Sequence, residues 1–381
     1  MKNNNITRWC LDECNMGVKE ARHLFNAFRD MESLKELYLS DLSGSRSLND
    51  NVMAGCIPSL AACKDIRELK LEGYSMSTNS CTALSAVLPR MTLLLELSLG
   101  GNSIDDRCVE VLVRGLVESS HLNMLDLGGN SIGDDGLDVL IQGLPASVGR
   151  LDVSENEITL SRQLPLLRFK ILNLAANSLS PGGPQVVAAS LVNPECHLEE
   201  IYLFDTYIGD EGATILAGSL LGNQRLTKMV LAGDRDDERG WNKITETGWN
   251  AFLPILCNTA NINATHGSNH TLKHLEEDHC ELIPNKVNKM LWLNCNQDTS
   301  SIAAQKILQT HRHLDMKPLF DRKLDLLPYV VAWLERFAES RLNLKLSSIY
   351  EFVRAIPTKA VEGVEGKKKG EKRSRDLLSH E

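Results

Sequence analysis

The stretches LLELSLGGNSIDD (Leu94 to Asp106) and LNMLDLGGNSIGD (Leu122 to Asp134) repeat one pattern, with 28 residues between their first leucines. Both fit L-x-x-L-x-L-x-x-N-x-I. Apolar residues two apart mark a strand with one buried face, so Leu97 and Leu99 are expected to point inward while Glu96 and Ser98 face solvent. The period then changes: Leu137, Leu140, Ile141 and Leu144 stand at i, i+3, i+4 and i+7, the buried stripe of a helix. A unit of one short strand and one helix cannot bury its apolar edge alone, so such units must stack.

The same frame begins at Ile6, Leu34, Ile66, Leu94, Leu122, Val148, Phe169, Leu198, Leu226 and, least regularly, Leu272. The helical stripe recurs at Ala21, Leu24, Phe25 and Phe28, at Val109, Leu112, Val113 and Leu116, at Ala213, Leu216, Ala217 and Leu220, and at Trp249, Phe252, Leu253 and Leu256. Asn102, Asn130, Asn156 and Asn177 fall where each strand ends; a side-chain amide both donates and accepts, so a column of them can satisfy loop amides and carbonyls left unpaired between coils. Cys14 and Thr206 hold that slot in two other copies. Acidic residues open several helices, as in IGDDG (Ile132 to Gly136) and IGDEG (Ile208 to Gly212), where they favour the helix N-terminus.

This pattern resembles the leucine-rich repeat proteins, and the unit length with its α-helical return resembles their ribonuclease-inhibitor-like class. The resemblance covers roughly residues 6 to 275. It implies an α/β solenoid, a right-handed horseshoe of ten parallel strands on the concave side with nine or fewer helices on the convex side. A second resemblance rests on CNTANINATHGSNHTL (Cys257 to Leu272), Trp249 with Phe252, KILQTH (Lys306 to His311), LDLLPYVVAW (Leu324 to Trp333) and YEFVRAIP (Tyr350 to Pro357). These look like the last repeat and shared tail of an algal, diatom-type group of leucine-rich-repeat proteins, from which no activity transfers.

Two steps depart from the period. Only 21 residues separate Val148 from Phe169, and Thr159 to Arg168 carries Pro165, so that coil is expected to return by a turn or a 3₁₀ segment. The 46-residue step from Leu226 to Leu272 holds DRDDERGWN (Asp234 to Asn242) and NINATHGSN (Asn261 to Asn269), expected as projecting insertions.

The domain organisation expected is a repeat horseshoe over 1–275, a helical C-terminal cap over 276–357 and a basic tail over 358–381. SIAAQKILQTHRHL (Ser301 to Leu314), LPYVVAWLERFAES (Leu327 to Ser340) and SIYEFVRAIP (Ser348 to Pro357) supply the helical patterns. Within the tail, from Gly366 to Arg375, Lys367, Lys368, Lys369, Lys372, Arg373 and Arg375 oppose a single acid, Glu371. That run reads as a nuclear transport signal or a tether for nucleic acid or an acidic partner, or else as a solubilising terminus. The whole chain carries a net charge of −9, so the body is more acidic still and a nucleic-acid partner is not expected.

The longest apolar run, Leu326 to Leu334, is far shorter than the ~20 residues of a membrane-spanning helix. MKNNNITRWC has no apolar core of a signal peptide, so a cytoplasmic or nuclear chain with reduced cysteines is expected, no membrane partner, and no meaning for the sequons at Asn5, Asn263 and Asn269. Cys56, Cys81 and Cys257 fall on or beside inward helix positions, where a thiol acts as a small hydrophobe.

Candidate chemistry is thin. His266, His270, His274, His279 and Cys280 crowd together, but His274 lies inside the repeat frame and no CxxC accompanies them, so no metal site is assigned. His311 and His313 flank a helix end. The glycines at Gly100 and Gly128 are strand-exit turns without the lysine of a phosphate loop, and no GxSxG occurs. Neither a catalytic set, a cofactor nor a small-molecule substrate is expected. Counting outward positions along the strands places Cys10, Tyr38, Lys70, Ser98, Asp126, Asp152, Asn173, Tyr202 and Val230 on the concave face, with Phe204 on the same side. Tyr38, Asp126, Asp152, Tyr202 and Phe204 are therefore the candidate contacts for a protein ligand bearing a basic patch. The function expected is a non-catalytic protein-interaction module, a scaffold or adaptor. The alternative is a regulator of an enzyme, in the manner of Ran GTPase-activating proteins or nucleotide-binding immune receptors, although no P-loop, F-box-like segment or catalytic motif of those families can be placed here.

Overall fold

The computed structural model describes residues 6–12, 16–41, 48–232, 242–276, 283–295 and 299–311. Ten strands, β1 (Arg8–Leu11), β2 (Glu36–Ser40), β3 (Glu68–Glu72), β4 (Glu96–Ser98), β5 (Met124–Asp126), β6 (Arg150–Asp152), β7 (Ile171–Asn173), β8 (Glu200–Tyr202), β9 (Lys228–Ala232) and β10 (His274–Glu276), pair in chain order as one sheet. Every pairing is parallel, and Leu37, Leu69, Leu97, Leu125, Leu151, Leu172, Ile201 and Met229 stand in one register-aligned row. The helices are α1 (Val18–Phe28), α2 (Asp50–Cys56), α3 (Thr78–Val87), α4 (Asp106–Leu116), α5 (Asp134–Gly143), α6 (Gly183–Val192), α7 (Gly209–Ser219), α8 (Glu246–Asn250), α9 (Leu253–Leu256), α10 (Ile262–His266), α11 (Asn285–Cys295) and α12 (Thr299–Thr310). The chain is a leucine-rich-repeat solenoid of α/β class.

The chain divides into two compact units, one of 1–252 with 271–288 and the other of 253–270 with 289–381. In the first, the core lies between sheet and helices. Leu97, Leu99, Leu125 and Leu127 from the strands, and Leu84, Leu112, Leu137 and Leu140 from the helices, are all essentially buried. Alternation along the strands explains the one set and the 3.6-residue stripe the other.

Polar groups between coils are handled by the asparagine column. Asn130 accepts from the Ile104 N–H at 3.0 Å and donates to the carbonyls of Leu127 and Leu99 at 2.9 and 3.2 Å; Asn102, Asn156 and Asn177 likewise accept from an N–H of the preceding coil and donate to one of its carbonyls. The residue just before each amide turns the chain out of the strand with a left-handed backbone, φ 65° at Gly101 and 66° at Gly129. Glycine carries that conformation without a side-chain penalty; Glu155, Ala176 and Asp205 adopt it in the next three coils. Thr206 fills the slot of the eighth coil, donating to the Leu203 carbonyl at 2.6 Å. Beside it stands Asn242, counted above with the insertion. It accepts from the Thr206 N–H at 2.7 Å and donates to the Leu203 and Leu231 carbonyls, so it is the column's next member. The rest of that charged insertion, 234–241, lies outside the described residues, as do the cap segments 327–340 and 348–357 and the basic tail.

The aspartates that open the helices do more than favour their own N-termini. Asp134 accepts from the Thr159, Leu160 and Ser161 N–H groups, Asp50 from those of Ser77, Asn79 and Ser80, and Asp210 from those of Thr245 and Gly248. Each carboxylate thereby ties one coil to the next. Burial pushes the Asp134 and Asp50 carboxyls up, but these hydrogen bonds outweigh it and hold both below the usual range.

The short coil between β6 and β7 contains no helix, as its 21-residue step and Pro165 require. Arg168 compensates: its guanidinium donates to the Ile141 and Leu144 carbonyls at 3.0 and 2.9 Å, capping the C-terminus of α5 where the next helix would have packed.

Candidate functional site

The face of the sheet opposite the helices carries two register-aligned rows. One runs Arg8, Glu36, Glu68, Glu96, Met124, Arg150, Ile171, Glu200 and Lys228; the other runs Cys10, Tyr38, Lys70, Ser98, Asp126, Asp152, Asn173, Tyr202 and Val230. Tyr38, Asp126, Asp152 and Tyr202 thus share one row, and half-buried Phe204 follows β8 by two residues. Two members of that row are not open to solvent. Ser98, expected to be exposed, is 6% accessible because its hydroxyl is enclosed between the Glu72 and Asp126 carboxylates at 2.7 and 2.8 Å, and Val230 is fully buried.

Both tyrosine rings on this face are engaged. Tyr38 lies beneath the Arg8 guanidinium and the Lys70 ammonium, both 5.1 Å from its ring centre, and its hydroxyl donates to Glu68. Tyr202 holds the Lys228 ammonium 4.8 Å from its ring centre and donates to Glu200 at 2.9 Å. Burial, reinforced by the glutamate beside each hydroxyl, pushes both phenols up. Both sites pair a tyrosine with a glutamate and a cation, the glutamate coming from the neighbouring strand at Tyr38 and from the same strand at Tyr202.

The aspartates are engaged differently. Asp126 accepts from the Gly128 N–H and Asp152 from the Ser154 N–H, both at 2.9 Å, so each carboxylate holds the turn two residues on. Asn173 does the same for Ala175 and also donates to Asp152 at 2.7 Å. Burial pushes the Asp126 carboxyl up; the Gly128 and Ser98 donors oppose this, and the charges of Asp152 and Glu72 add to it. Strand alternation placed Glu96 on this face but was not carried to Glu36 and Glu68, which the same count, taken two residues back in each strand, finds.

A cavity of ≈ 240 Å³ lies at the helix-free coil, lined by Leu164, Pro165, Leu167, Gln185, Val186 and Ala189 among others. It is smaller than the ~300–1,000 Å³ typical of small-molecule sites. Among the described residues no group of three or more His, Cys, Asp or Glu is placed to hold a metal ion, and no helix is long and apolar enough to cross a membrane.

No family model matches the chain, and no curated protein matches it. Among solved structures it is similar to an internalin (inlF) of Listeria monocytogenes, at 18% identity over 65% of this chain and 85% of that one, with a TM-score of 0.31. It is also similar to an internalin C2 of the same species, at 20% identity over 53% and 72% with a TM-score of 0.34, and to a tropomodulin C-terminal domain of Caenorhabditis elegans, at 15% over 36% and 83% with a TM-score of 0.30.

Proposed function

We propose that this chain is a non-catalytic protein-interaction module that docks a protein ligand on the open face of its sheet. What supports the reading is the aligned face itself. It carries carboxylates at Glu36, Glu68 and Glu96 toward one end, those of Asp126 and Asp152 at its middle, and the half-buried rings of Tyr202 and Phe204 beyond them. Aromatic anchors ringed by weaker polar contacts concentrate interface energy. Tyr202, Phe204, Asp126 and Asp152 form the centre of the contact, Tyr38 an outlying anchor, and a basic patch on the partner complements the acidic end. The solenoid belongs, in this reading, to the ribonuclease-inhibitor-like class.

Affinity capture with the intact chain, followed by measurement of the recovered protein against variants, tests it. Tyr202→Ala weakens binding by about 2 kcal/mol, and the paired change of Asp126 and Asp152 to Asn slows association and blunts its dependence on salt. Thermal melts of each variant separate lost contact from lost fold. Unchanged binding in folded variants of both kinds removes this face from the interface. The basic run from Lys367 to Arg375 serves as a nuclear transport signal. Fusing Val361 to Glu381 to a fluorescent protein tests that: nuclear accumulation supports it, and an unchanged distribution discards it.

A further inference from the structure

The coil between β6 and β7 has no helix to lay against α6, so the segment 163–167 lies there instead, pinned where the Leu166 N–H donates to the Ser190 hydroxyl at 3.1 Å. The ≈ 240 Å³ cavity is the space this leaves. Every residue lining it is uncharged: Leu164, Pro165, Val186 and Ala189 supply apolar wall, Gln163 and Asn193 supply amides. Beside this hollow stand two projections. Val192, the last residue of α6, is 65% exposed, and Leu221, just beyond the end of α7, is 56% exposed. The Asn223 side chain donates to the Leu191 carbonyl at 2.9 Å, which draws the end of the α7 coil against the end of α6 and brings both aliphatic groups onto one stretch of surface. Adjacent exposed aliphatic groups mark contact surfaces.

The occupant follows from charge and from shape. The chain carries −9, and its open sheet face is lined with carboxylates, so two copies repel wherever such faces meet. They approach most readily where charge is absent. A two-fold pairing also needs one patch that holds both a projection and a matching hollow, since each copy must offer what the other receives. Amides suit the rim of such a patch because each can donate and accept toward its own copy. We propose that this patch is a self-association surface, on which two copies of the chain pair about a two-fold axis at Val192 with Leu221 of each seated in the cavity of the other. The axis falls at Val192 because that residue lies between the cavity wall at Ala189, one turn back in α6, and Leu221 in the next coil. The patch is on the helix side of the sheet, so pairing leaves the open face of each copy uncovered.

Sedimentation equilibrium of the intact chain from about 1 to about 100 μM tests it. The mass is expected to rise from one copy toward two. Leu221→Glu would place a charge in the uncharged cavity of the other copy and is expected to raise the dissociation constant at least about tenfold. Ala189→Trp, which fills the cavity from an exposed position on its wall, is expected to do the same. Val117→Glu is the control: that valine, at the end of α4, is 59% exposed but lies outside the patch, and its change is expected to leave pairing as it was. All three positions are exposed, so the fold tolerates the changes, and thermal melts check this. A single copy throughout the concentration range, pairing that survives in either folded patch variant, or pairing lost equally in Val117→Glu would each overturn the proposal. The two patch variants act from opposite sides of the contact, so either one decides the matter if the other does not fold.

Discussion

The two compact units bury polarity in opposite ways. In the repeat unit the polar groups that recur between coils are neutral amides: Asn102, Asn130, Asn156 and Asn177, joined by Asn242. In the unit of 253–270 with 289–381 a single ammonium does comparable work. Lys306 is fully buried and donates to the Leu256 carbonyl at 2.6 Å, the Asn269 carbonyl at 3.0 Å and the Nδ1 of His270 at 3.2 Å. His270 must then keep its proton on Nε2, which bonds the His266 carbonyl at 3.1 Å, and buried His311 bonds the Thr265 hydroxyl at 2.6 Å. The amide column is indifferent to pH, whereas the lysine–histidine centre titrates. Repetition selects a group that can be copied; a one-off packing problem can be solved with a charge.

The largest effect that would break this contrast is on packing. Leu127→Ala removes a side chain essentially without exposure and is expected to cost about 2–5 kcal/mol by denaturant unfolding. A loss below about 1 kcal/mol would mean that the coils relax independently rather than sharing one core. Next comes Asn130→Leu, which deprives the Ile104 N–H and the Leu127 carbonyl of their partner at a cost of about 1–3 kcal/mol. That loss should be the same at pH 5 and pH 9, since nothing at the site ionises.

Titration sharpens the contrast from the other side. Burial, with the neighbouring Lys306 charge, lowers His270 to about 4, and burial lowers Lys306 to about 8. The folded chain therefore refuses a proton at His270 that the unfolded chain accepts, so stability falls as pH drops from the ordinary imidazole value near 6.5 toward 4. At Lys306 the folded chain releases its proton first, so stability rises as pH climbs from about 8 toward the ordinary lysine value near 10.4. The carboxyls of Asp50 and Asp134 are held low, and their contribution is present above the usual carboxylate range and lost only below about pH 4. Hydrogen exchange resolved by peptide tests this: amides of 256–270 and 299–311 should lose protection between pH 6.5 and 4 while those of 97–130 hold theirs. Equal sensitivity in both regions would refute the division.

What could be read in the chain follows the same line. The strand register, the asparagine slots and the helix-free coil were legible because a solenoid writes each of them as a period or as a break in one. Asn242 was hidden by a displaced frame, though Asn242 with Ile244 repeats the Asn102 and Ile104 spacing and could have been found. Arg168 and Lys306 were not legible: each answers a local shortage of donors for helix-end carbonyls that exists only once the coils are packed. The open-face positions of Tyr38, Asp126, Asp152 and Tyr202 came from strand alternation. Their internal partners did not, because Glu68, Lys70, Ser98 and Lys228 belong to neighbouring coils some 30 residues away in the chain.

The smallest expected effect concerns the aspartate ties between coils. Asp134→Asn keeps one acceptor oxygen for the Thr159 and Leu160 N–H groups but loses the oxygen that the Thr159 and Ser161 hydroxyls share. The site is largely open to water, so screening limits the cost to about 1 kcal/mol or less at pH 7. Its signature is its pH dependence. The wild-type carboxyl is held below its ordinary value, so the difference between the two proteins should be constant above about pH 5 and shrink as the medium is acidified through the folded-state value, where the native carboxylate is itself protonated. Paired denaturant titrations at pH 7 and pH 3 measure it. A difference that persists undiminished at pH 3 would mean that Asp134 acts through shape rather than charge, and the tie would then belong with the neutral amide column.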